Sequence, residues 1–107
     1  MPTYNKLVRD KIPAIIEQAG KTCTTKTLTD EEYIQALQTK SQEELNEYLK
    51  TTDNESALEE LADLLEIIHA LARYHGAGIE EVERIRQKKA AERGGFMEKV
   101  FLIEVQD

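Results

Sequence analysis

Between Leu58 and Ala72 the chain carries Leu58, Leu61, Leu64, Leu65, Ile67, Ile68 and Leu71, interleaved with Ala62 and Ala72. Wound into a helix, these side chains nearly surround the axis, and a helix apolar on almost every side belongs at the centre of a fold. The remaining sequence has to supply its partners. A chain of 107 residues is one domain's worth of material, so residues 1–107 are expected to form a single domain that buries about 65% of its unfolded surface.

Other segments carry helical signals too. Ile12, Ile15, Ile16 and Ala19 recur at helical spacing from Asp10 to Ala19, with Pro13 placed for a first turn, Asp10 for the cap and Gly20 for the stop. Thr29 followed by Glu32 is a capping-box pattern opening a long helix to about Lys50. Ser56 followed by Glu59 repeats that pattern and opens the apolar helix, which Gly76 and Gly78 end near Tyr74. A fourth helix is expected from Ile79 to Glu92, its solvent face pairing Glu80 with Arg84, and Gly94 and Gly95 stop it. The Thr-rich stretch 21–28 and the run VFLIEV at 100–105 read as extended segments, able to form a minor two-strand pair. The expected fold class is therefore all-α, with about four helices.

The net charge of −7 argues against a nucleic-acid polymer as partner, because phosphate backbones are held by clustered Lys and Arg. No run is long and apolar enough to span a membrane, and the polar opening MPTYNKLVRDK lacks the apolar core of a signal peptide, so a cytoplasmic location is expected. Cys23 is the one cysteine, which excludes an intrachain disulfide and a thiolate-rich metal site. It reads as an inert thiol.

The chemistry of the sequence lies in its acids. Glu44 with Glu47, and Glu60 with Asp63, are three residues apart on their helices, where side chains are about 5–6 Å apart at Cβ and can grip one ion. If the two helices face each other, the pairs make a cage of four carboxylates. Hard oxygen ligands suit Mg²⁺, with Mn²⁺ as the alternative, and only His69 and His75 are available for a nitrogen-rich zinc site. Both histidines read as structural. The plain alternative is that the acids are solvated helix faces, and for either pair alone it would be preferred. Against it, Glu59, Asp63 and Glu66 have no Lys or Arg three or four residues away, and uncompensated like charges at that spacing repel. Lys40 and Lys50 partly offset the second helix's acids.

These residues carry a family resemblance. Glu43-Glu44-Leu45-Asn46-Glu47 followed by Glu60-Leu61-Ala62-Asp63, within EELADLLEIIHAL, resembles the acidic signature of the MazG-like all-alpha nucleotide pyrophosphohydrolases, relatives of phosphoribosyl-ATP pyrophosphohydrolase. The opening YNKLVRDKIPAII and the later KKAAERGGF are similar to a single-domain branch of that family, so the likeness covers almost the whole chain. The resemblance implies a MazG-like helical bundle in which Glu44, Glu47, Glu60 and Asp63 bind Mg²⁺, with Glu43 a helper. It also implies cleavage of a nucleoside triphosphate between its α and β phosphates, with Glu44 or Glu47 activating the water. Homo-oligomers, dimers or tetramers, in which neighbouring helices complete the site, are part of the same implication.

Basic groups should meet the substrate's phosphates, and Lys6, Arg9, Lys88 and Arg93 are the candidates, Arg being suited to bidentate contact. Ordinary surface charge, or an Arg9–Asp10 ion pair, is the plain alternative for the first two. Two rival functions remain at this level. One is phosphoribosyl-ATP pyrophosphohydrolase itself, against which the NKLVRDKIP opening speaks; the other is a non-catalytic helical interaction module.

Overall fold

The computed structural model describes residues 2–107, which form four helices and no strand: α1 (Ile12–Gln18), α2 (Asp30–Leu49), α3 (Asn54–Tyr74) and α4 (Ile79–Arg93). The all-α expectation is met. The expected pairing of 21–28 with 100–105 is not. No backbone hydrogen bond joins the two segments among the described residues, and an isolated two-stranded ribbon is marginal without a hydrophobic face to rest on.

α2 and α3 form the body of the molecule, an antiparallel hairpin closed by a four-residue connection. The start of α2 is set by the capping box read from the sequence: Thr29 Oγ1 accepts from the Glu32 N–H at 3.2 Å, and the Glu32 carboxylate accepts from the Thr29 N–H at 3.0 Å. α3 begins differently from expectation. Asp53, three residues before the expected cap, accepts from the Ser56 N–H at 2.9 Å and makes Ser56 part of the first turn rather than the cap. A carboxylate outcompetes a hydroxyl for that role because the orphan N–H groups and the helix dipole both favour negative charge there.

α3 stops in a Schellman turn, with the Ala77 N–H bonded to the Ala72 carbonyl at 3.0 Å and the Gly76 N–H bonded to that of Arg73 at 3.0 Å. The turn needs the positive φ of 83° that Gly76 adopts at no steric cost. α1 ends the same way at Gly20. Its start departs from the sequence reading, since Lys11 rather than Asp10 occupies the cap position and no side chain caps it. Pro13, in the first turn, needs no N–H partner there.

The core between α2 and α3 is thin. Leu37 of α2 and Ile67 of α3 are both buried, and Tyr33 and Tyr74 stack in a tilted pair at the hairpin's open end, 6.3 Å between ring centres. Ala72 is the third buried apolar residue. α4 packs only against α3 and buries none of its own residues. Its ion pairs are Arg84–Glu81 and Arg86–Glu83, one turn apart, instead of the expected Glu80–Arg84.

The central helix is therefore not enclosed as its sequence led one to expect. Leu58, Leu61, Leu65 and Ile68 remain 36–67% exposed along one side of α3. The chain leaves 9914 Å² accessible, whereas a folded monomer of 12.2 kDa exposes about 6,100 Å² and its extended chain about 17,700 Å². Folding thus hides about 44% of the chain's surface rather than about 65%. Among the described residues, no helix is long and apolar enough to cross a membrane.

Candidate metal centre

From the buried Leu37 and Ile67 towards the connection, the facing surfaces of α2 and α3 turn acidic. Glu44 projects from α2; Glu60 and Asp63 project from α3. One carboxylate oxygen from each lies within 4.8 Å of the others, and all three residues are half-buried. The spacing explains the placement. Leu37 and Glu44 are seven residues apart on α2, and Glu60, Asp63 and Ile67 follow at three and four on α3, so the acids share the faces that the core residues press together.

That arrangement revises the stripe read from the sequence. Asp63 faces α2 with Glu60, while Glu59 and Glu66 point into solvent. Glu47 is exposed and outside the three-oxygen group, although its charge still bears on Glu60. Glu43 is likewise exposed.

Two cations approach the cluster. Arg9 Nη2 donates to Asp63 Oδ1 at 2.8 Å, a contact spanning 54 residues of sequence, where an Arg9–Asp10 pair had been the plain alternative. Lys40 Nζ lies 3.7 Å from Glu44 Oε1, one turn back on α2. Glu60 has neither. Partial withdrawal from water raises its pKa first, followed by a hydrogen bond shared with Glu44 and then by repulsion from Asp63, Glu44 and Glu47. A carboxyl that resists ionisation beside two others is a place where a divalent cation is electrostatically welcome.

The other expected phosphate partners stand elsewhere. Lys6 has its ammonium 5.6 Å from the Tyr4 ring centre, in a cation–π contact. Lys88 and Arg93 are exposed on α4 and make no ion pair among the described residues. Of Lys40 and Lys50, both of which spacing identified as able to reach an acid, Lys40 makes an ion pair among the described residues and Lys50 makes none; the Arg9–Asp63 bond left no local signal. His75, exposed just beyond the end of α3, meets Tyr74 edge-on at 5.3 Å.

The donor set fits a hard cation. Two oxygens on one Mg²⁺ are about 3.0 Å apart when adjacent and about 4.2 Å apart when opposite, given bonds of about 2.1 Å. A spread of up to 4.8 Å needs only small side-chain rotations to close on such an ion.

The raised Glu60 pKa has a consequence for stability. A folded state that holds its proton more tightly than the unfolded chain loses stability as pH rises from the ordinary glutamate range through the elevated native value. Metal-free Glu60→Gln protein is expected to melt above the wild type at pH 7, with the difference vanishing below about pH 4, where both states keep the proton. Calorimetry at the two pH values checks this; equal melting points at pH 7 would refute it.

No family model matches the chain, and no solved structure matches it. A curated protein of Mycolicibacterium smegmatis, described as uncharacterized, is 43% identical over 54 residues. That match covers 50% of this chain and 55% of the relative, so the chain spans about half the length of the protein it resembles.

Proposed function

We propose that this protein is a Mg²⁺-dependent nucleoside triphosphate pyrophosphohydrolase, with Mn²⁺ able to substitute. The observation that carries the reading is the convergence of Glu44, Glu60 and Asp63 from two facing helices onto one ion-sized space. The resemblance of the EExxE and ExxD motifs to the MazG-like family supports it independently.

In this reading Glu44, Glu60 and Asp63 hold the cation, and Glu47, exposed at the rim, joins them or orients the attacking water together with Glu44. The bound ion would offset phosphate charge and lower the pKa of the water. A carboxylate takes the water's proton as its oxygen bonds to phosphorus. The α–β anhydride bond breaks, and its electron pair leaves with pyrophosphate, giving a nucleoside monophosphate. Arg9, already at the cluster, is placed to exchange Asp63 for a phosphate oxygen; Lys6, Lys88 and Arg93 are the further phosphate partners. The protein would act in the cytoplasm on the nucleotide pool, as a homo-oligomer.

A panel of nucleoside triphosphates incubated with Mg²⁺ tests the reading. Monophosphate and pyrophosphate are the expected products, with chelator abolishing their release. Orthophosphate with a diphosphate would place the cleavage elsewhere, and no turnover of any nucleotide, together with no thermal stabilisation by Mg²⁺, would favour a non-catalytic interaction module. Selective turnover of phosphoribosyl-ATP would favour the enzyme of histidine synthesis.

A further inference from the structure

At the open end of the hairpin, α2 and α3 border a cavity of about 510 Å³ lined by Asp30, Tyr33, Ala70, Arg73 and Tyr74. Small-molecule cavities commonly measure about 300–1,000 Å³. We infer that this cavity receives the base of the nucleotide whose phosphates meet the acidic centre, and that it selects guanine. The inference rests on the hydrolase reading and adds to it the identity of the base.

The aromatic wall is in place before any ligand arrives. Tyr74 lies 6.3 Å from Tyr33 at a tilt of 57° and meets His75 edge-on at 5.3 Å, so its ring is braced from two sides while 37% of the residue stays exposed. Any base can stack on such a ring. Ala70 contributes room, since a longer side chain there would reach into the space. Charge supplies the selection. Asp30 and Arg73 line the same cavity without pairing with each other, and neither side chain makes a hydrogen bond or an ion pair among the described residues. Opposite charges held apart in this way are placed to grip a ligand from two edges. Guanine offers adjacent N1–H and N2–H donors, which a carboxylate accepts as a fork. Its O6 and N7 are the acceptors that arginine takes together. Adenine and cytosine would turn a bare ring nitrogen towards the carboxylate, and uracil has a single N–H between two carbonyls.

Reach agrees as well, because the cavity lies on the seam that carries the acids. Asp63 and Ala70 are seven residues apart on α3, so they share a face two turns apart, about 10 Å along the axis. Tyr33 and Glu44, eleven apart on α2, share a face in the same manner. In a nucleotide about six bonds of about 1.5 Å link the base to the α phosphorus, a span of roughly 7 Å. A cation coordinated through a phosphate oxygen adds about 3 Å. One nucleotide therefore bridges the acids and the cavity.

Hydrolysis of GTP, ITP, ATP, CTP and UTP with Mg²⁺, read as kcat/KM, tests the inference. ITP is the sharpest comparison, because hypoxanthine lacks only the N2 amine of guanine. The wild type is expected to favour GTP over each of the others by about tenfold or more. Asp30→Asn should bring the GTP-to-ITP ratio to about one, with helix content unchanged by circular dichroism, since Asp30 is exposed. Tyr74→Ala should raise KM for GTP, and Tyr74→Phe, which keeps the stacking ring, should restore it. Turnover without guanine preference, or a preference that survives Asp30→Asn, would overturn the inference and leave the hydrolase reading standing. If no triphosphate is hydrolysed, the hydrolase reading fails, and titration of tyrosine fluorescence with GMP and AMP decides the cavity by itself. Tighter binding of GMP that Asp30→Asn abolishes supports a guanine site; equal binding of the two, or none, overturns it.

Discussion

Asp63→Asn should lower Mg²⁺-dependent hydrolysis of a nucleoside triphosphate by about a hundredfold or more, with helix content unchanged. Asparagine keeps the shape of aspartate but gives up the charge that would bind the cation and that now holds Arg9 at 2.8 Å. Both Arg9 and Asp63 are substantially exposed, so losing their ion pair should hardly affect folding. The measurement is kcat/KM across a range of Mg²⁺ concentrations, with Arg9→Ala as the companion. If the defect came from losing the arginine contact alone, Arg9→Ala would reproduce it. If Asp63 acts on the cation, its variant should require more Mg²⁺ and Arg9→Ala should not. An Asp63→Asn protein with more than half of wild-type activity would remove Asp63 from the centre.

The largest stability effect is expected at Leu37. It is 3% exposed, Ile67 on the facing helix is 6% exposed, and among the described residues few other side chains are hidden so well. Truncating a buried leucine to alanine costs about 2–5 kcal/mol through lost transfer energy and the remaining cavity. Against a total stability of about 5–15 kcal/mol for an ordinary domain, Leu37→Ala should leave the hairpin close to unfolding. Urea titration at one fixed protein concentration checks this, because self-association would otherwise shift the midpoint. Ile15→Ala, altering a half-exposed residue of α1, should change stability by no more than about 0.5 kcal/mol. Equal effects at the two positions would mean that the α2–α3 contact is not where stability is concentrated.

What the sequence disclosed and what it withheld divide along the range of the interactions involved. Helix periodicity and the Thr29–Glu32 box are local, and α2 forms where they place it. Competition among neighbouring groups was harder to read. Asp53 prevails over Ser56 as cap, and Arg84 chooses Glu81 over Glu80, because each outcome depends on side-chain geometry within a single turn. The facing of Glu44 towards Glu60 follows from putting the leucine and isoleucine faces together, so part of the acidic centre was legible once a hairpin was assumed. The Arg9–Asp63 bond was not, since 54 residues separate the partners and nothing in their spacing links them. Burial was the least legible property: the apolar stripe of α3 is plain in the letters, but what lies over it is decided by the rest of the molecule.

The four-residue connection between α2 and α3 determines where this protein can change length. An extra residue in that surface loop leaves both helices in phase. One inserted between Leu37 and Glu44 would swing every later side chain of α2 by about 100° relative to the anchored leucine, carrying Glu44 off the shared face. Relatives that retain the acidic centre should therefore differ in size at the hairpin's tip, with the seven-residue interval behind it held constant.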